Sequence, residues 1–76
     1  MMNKQYRAGQ IYKIRRLTKA IDKNFRSKLL AMGLMPGVHF QVVNIAPFGD
    51  PIHMRIHDFA LSLRKKELAL LELEMV

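Results

Sequence analysis

The chain is predicted to be mainly β, a small SH3-like barrel of about five strands with one inserted α-helix and a short helical turn. Three observations predict this fold. Apolar and polar residues alternate in several short segments, most cleanly where Ile52, Met54 and Ile56 interleave with His53, Arg55 and His57. Only one segment holds a helical period. With 76 residues there is too little chain for two packed sheets, so curling one sheet is the natural way to limit exposed edges. A chain of this length makes one domain with a thin core, here assigned to residues 9–76 after an amino-terminal tail of residues 1–8 that only Tyr6 ties down.

Residues 10–18 set β-branched and aromatic side chains among bases, with Tyr12 and Ile14 on one side and Leu17 on the other, which predicts a strand with an irregularity. Asp22 can cap a helix by accepting a backbone N–H bond. Phe25, Leu29 and Met32 then recur at i, i+4 and i+7 on one face. Gly33 stands where a left-handed residue closes a helix, and Pro36 and Gly37 fit the two centres of a type II turn. Phe40 and Val42 begin a central strand, but Val43 and Ile45 shift the apolar side, so it is either buried on both faces or bulged. Pro47, Gly49 and Pro51 make a stiff hairpin loop before the strand at Ile52. Phe59, Leu61 and Leu63 repeat the period of two. A short basic turn over residues 64–68 follows, and Leu71, Leu73 and Met75 alternate with Glu72 and Glu74 in a last strand.

The formal charge of +7 favours nucleic acid, anionic lipid or an acidic protein face without choosing among them. Bases are spread through the first third of the chain, with a second cluster at Arg64, Lys65 and Lys66. Cysteine is absent, so the core stands without disulfides or a zinc–thiolate staple, as suits a reducing cytoplasm. No apolar run follows Lys4 and Arg7, and none approaches the ~20 residues that span a bilayer. Neither a signal peptide nor direct membrane insertion is expected.

His53 and His57 are a tempting metal pair, but four residues of strand cover ~13 Å at ~3.3 Å each, too far for two ligands that each approach one ion within ~2.1 Å. His39, Asp50 and Asp58 show no spacing that converges on the same point, so no metal or other cofactor is expected. Ser27, Ser62 and Thr18 lie in no nucleophile motif, and the glycines form no phosphate-cradling loop; catalysis is not expected either. Of the aromatic residues, Phe25, Phe40 and Phe59 follow core periods. Tyr6, Tyr12 and Phe48 remain as surface candidates for stacking on bases, and with the basic charge they define an alternative nucleic-acid function. An interaction module needs only a rigid barrel, a shallow apolar patch and a charged rim. Leu30 lies about 140° around the helix from Phe25 at ~100° per residue, beside the core stripe, and Leu34 and Met35 continue the apolar edge. The expected partner-binding residues are therefore Leu30, Leu34 and Met35, with Arg64, Lys65 and Lys66 as basic rim.

The segments KLLAMGLMPG (residues 28–37), APFGDPI (46–52) and SLRKKELALLELE (62–74) keep an order and spacing that closely resemble the FeoA family of ferrous iron transport proteins. The resemblance covers nearly the whole chain after the first few residues. It implies an SH3-like fold and a small cytoplasmic accessory protein that binds and regulates the cytoplasmic G-protein region of the membrane transporter FeoB, peripheral to the inner membrane through that partner.

Overall fold

In the computed structural model, which describes residues 6–76, strands β1 (Ile11–Leu17), β2 (His39–Ile45), β3 (Ile52–Ile56), β4 (Phe59–Leu63) and β5 (Leu71–Met75) form one antiparallel sheet in the order β4-β3-β2-β1-β5. Helix α1 (Lys23–Ala31) joins β1 to β2, and the single turn α2 (Lys65–Leu68) joins β4 to β5. The two edge strands, β4 and β5, are not hydrogen-bonded to each other, so the barrel is an open one. Of the expected tail, residues 1–5 lie outside the described residues. Tyr6 is buried, with its ring edge-on to Tyr12 at 5.5 Å, and Tyr12 stacks on Phe40 at 5.7 Å.

Both strand irregularities are β-bulges. The β1–β5 register shifts between Ile14 and Arg16, which keeps Tyr12 and Ile14 in the core while Leu17 packs against its margin. The β2–β3 register shifts between Val42 and Asn44: Phe40 and Val42 are buried, Val43 is half exposed, and Ile45 again packs against the core. The bulged alternative therefore holds for β2. The core joins these residues to Ile52, Met54 and Ile56 of β3, Leu63 of β4, Leu29 and Leu34 at the end of α1, Leu68 of α2 and Leu71 of β5.

Asp22 caps α1 by accepting the Asn24 N–H at 2.9 Å. At the other end, Gly33 has φ of +87°, its N–H donates to the Leu30 carbonyl, and the Leu34 N–H donates to the Leu29 carbonyl. That pair of bonds is a Schellman closure, with Gly33 in the left-handed position. Two residues on, the Val38 N–H donates to the Met35 carbonyl at 3.1 Å across Pro36 and Gly37, and Gly37 has φ of +94°, as a type II turn requires. The turn is clipped to β1 by the Gly37 N–H on the Ile14 carbonyl at 2.7 Å and the Ile14 N–H on the Val38 carbonyl at 2.9 Å.

Two expectations about aromatic residues are corrected. Tyr6 and Tyr12 are core residues, not surface ones, because Tyr12 shares the inward face of β1 with Ile14 and Tyr6 packs on its ring. Phe59, expected in the core from its period, is 42% exposed. It begins an edge strand at the hairpin end, where only β3 lies beside it.

Candidate functional site

Leu30 and Leu34, four residues apart, have opposite fates. Leu30 is on the outer side of α1 and 39% exposed, and Met35 is 43% exposed. Leu34 is fully buried. Its expected place on the partner-binding edge is therefore corrected: after Gly33 the chain no longer follows the helix, and the residue next beyond a left-handed closure turns back onto the last helical turn, here toward Leu29.

Leu30 opens onto a groove of about 590 Å³ between the end of β1, the β1–α1 connection and the outer face of α1. Leu17, Ile21, Leu30 and Pro36 supply its apolar surface. Arg16, Lys19, Lys23 and Arg26 supply its charge, and no carboxylate among the described residues lines it. Arg16 is held by Glu72 on β5 at 2.9 Å, whereas Lys19, Lys23 and Arg26 form no ion pair among the described residues. Thr18 is also in the lining, and its hydroxyl is buried without a hydrogen-bond partner among the described residues. Along the sequence these bases are only scattered charge. The available signal was their spacing, since Lys23, Arg26 and Leu30 recur at i, i+3 and i+7 on one helix face.

The second expected cluster lies elsewhere, against the β2–β3 loop. Asp50 accepts the Lys65 N–H at 2.8 Å and has the Arg64 guanidinium at 3.8 Å, while the Arg64 N–H donates to Glu67 at 2.8 Å. Lys65 reaches across the loop, its ammonium 3.3 Å from where a Cβ on Gly49 would stand. Arg64 and Lys65 thus serve first to hold the loop on α2. The loop is closed on itself by the Gly49 N–H on the Ala46 carbonyl and the Ala46 N–H on the Pro51 carbonyl, with Gly49 at φ of +87°. Pro47 and Pro51 flank its tip, where Phe48 is almost wholly exposed. Lys66 lines a separate shallow cleft with Phe25 and Asp22 at the start of α1.

The histidines are dispersed. His53 Nδ1 bonds the Ser62 hydroxyl across β3 and β4 at 2.6 Å. His39 and His57 share a shallow depression with Arg55, a cation that would oppose a metal ion there. Among the described residues no group of three or more potential ligands converges. No helix among them is long and apolar enough to cross a membrane.

These features define a small, basic, SH3-like β domain whose distinctive surface is a groove. The family model of the FeoA domain matches residues 4–75, and the chain belongs to the FeoA family, whose named members below are tied to ferrous iron transport. It is 40% identical over 52 residues to an Fe(2+) transport protein A/Fe(2+) transporter FeoB fusion protein of Porphyromonas gingivalis, a match covering 68% of this chain and 6% of that far longer one. Among solved structures, iron(II) transport protein A from Clostridium thermocellum is 38% identical with a TM-score of 0.82, over 91% of this chain and 41% of that one. A Pseudomonas aeruginosa protein is 40% identical with a TM-score of 0.74, over 95% of this chain and 96% of that one.

Proposed function

We propose that this chain is an accessory protein of ferrous iron uptake that binds the cytoplasmic G-protein region of a FeoB-type membrane transporter and regulates it, staying in the cytoplasm and reaching the membrane through that partner. The observation that carries the reading is the fusion relative, which joins a homologous segment and FeoB in one polypeptide. Covalent linkage holds two modules at high effective concentration, an arrangement that favours modules whose separate forms also meet. The exposed Leu30 and Met35 supply apolar contact area suited to a partner surface.

The test is association of the full chain with the transporter's cytoplasmic region in nucleotide-free, GTP-like and GDP states, followed by Fe(II) uptake in cells lacking the chain. Saturable binding that depends on nucleotide, with reduced uptake, is expected. The nucleic-acid alternative retains only Phe48 of its three surface aromatics. Submicromolar RNA or DNA binding at physiological salt, with no transporter association, would replace the proposal.

A further inference from the structure

We infer that the groove between β1 and α1 is a receptor for an acidic amphipathic segment of the partner protein, one that presents apolar side chains flanked by carboxylates. This rests on the proposed function for the partner's identity and adds the place and chemistry of contact. The warrant is complementarity. Leu17, Ile21, Leu30 and Pro36 give a surface that water wets poorly, and Lys19, Lys23 and Arg26 stand around it without an ion-pair partner among the described residues. A segment with apolar residues on one face and Glu or Asp along its borders satisfies both features at once, in the helix-in-groove mode.

The same lining disfavours other ligands. Every apolar member is aliphatic or proline, so nucleic-acid bases would find no aromatic ring on which to stack. A basic segment would bring like charges against three unpaired cations. A lipid surface is met best by a protruding element, whereas this surface is concave.

The division of labour follows from exposure. Leu30 is the apolar anchor, and the three cations steer the segment and set its polarity. Replacing all three by glutamine should leave the fold intact and weaken binding about tenfold, since exposed charge pairs each contribute modestly. The wild-type protein should lose affinity as salt rises, and the triple variant should lose less.

The experiment is a titration of the isotope-labelled full chain, followed by amide chemical shifts, with two probes in separate arms. The first is the isolated cytoplasmic region of the transporter. The second is a synthetic amphipathic peptide with leucines on one face and glutamates on the other, with a lysine-for-glutamate counterpart. Expected are shifts concentrated at Thr18, Ile21, Lys23 and Leu30 with the transporter region and with the acidic peptide, absent with the basic peptide, and weakened in the K19Q/K23Q/R26Q variant. Transporter binding that shifts other surfaces would overturn the groove assignment and leave the proposed function standing. If the transporter region does not bind, the proposed function fails and the peptide arm decides the groove: selective shifts with the acidic peptide support it, and no shifts, or equal shifts with the basic one, overturn it.

Discussion

Gly37→Ala isolates a backbone cost with almost no packing term. Gly37 has φ of +94°, and a Cβ built there meets no heavy atom within 4 Å outside its chain neighbours. The methyl group has room, so the penalty comes from the dihedral alone. Placing an L-residue in left-handed backbone costs roughly 1–2 kcal/mol, and the smaller conformational freedom of alanine in the unfolded chain returns about 0.4–1 kcal/mol. The net loss is on the order of 1 kcal/mol, at the upper side because +94° lies well past the ~+57° centre of the left-handed region. Relaxing φ would not rescue the variant, since it would pull on the Gly37 bond to Ile14 and the Val38 bond to Met35. For a domain of this size the loss should lower Tm by about 4–8 °C. Urea unfolding should show a lower midpoint with an unchanged slope. A D-alanine at position 37, introduced by chemical synthesis, should be at least as stable as the wild type, because its chirality favours positive φ and its unfolded chain is also less free. Equal midpoints and slopes for wild type and L-alanine variant would refute the reasoning, as would equal destabilisation by D- and L-alanine.

Leu34→Ala should cost about 2–5 kcal/mol, as expected for a fully buried leucine, whereas Leu30→Ala should cost less than about 1 kcal/mol; matched urea titrations check the contrast, and equal losses would show that Leu30 is also core. The Tyr6 phenol is pushed above its usual value of 10.0, first by burial and then by the neighbouring Tyr12. A raised pKa favours the neutral form in the fold, so its stability contribution is complete below pH 10 and is lost as pH rises through the folded-state pKa. Tyr6→Phe should therefore unfold less steeply with pH in the alkaline limb, and identical pH profiles by circular dichroism would contradict this. Anaerobic calorimetry should find no stoichiometric submicromolar site for Fe(II) or Zn(II), because His53 is engaged by Ser62 and His39 and His57 lie beside Arg55; a tight site lost on His57→Ala would refute that.

What the sequence makes legible is what short-range geometry controls. Asp22, Gly33 and the Pro36–Gly37 turn could be placed because capping and positive φ depend on a few neighbouring residues. The strands could be placed because alternation is local. The bulges could be expected but not positioned, since the residue left unpaired is chosen by register with a distant strand. Phe59 shows the same boundary from the other side. Its period matches Leu61 and Leu63, yet its burial depends on a neighbouring strand that an edge position lacks.

The candidate site was legible in the exposure of Leu30 and not in its shape. Leu30 and Leu34 look equivalent as apolar residues four apart, and only the glycine between them separates their fates. Gly33 in the left-handed position makes Leu34 the residue that closes over the last turn, so reading Gly33 as a cap already committed Leu34 to the core. That step needs no long-range information, and it leaves Leu30 and Met35 as the exposed members of the edge. The groove is different in kind. Lys23, Arg26 and Leu30 share a helix face by spacing alone, but the opposing wall comes from Arg16, Leu17 and Thr18, and it exists only because α1 folds back beside the end of β1. A charge count registers such bases as a property of the whole surface. Their unpaired convergence on one apolar surface is a property of the fold, and it gives the groove a preferred sign of ligand that net charge by itself cannot assign to any one face.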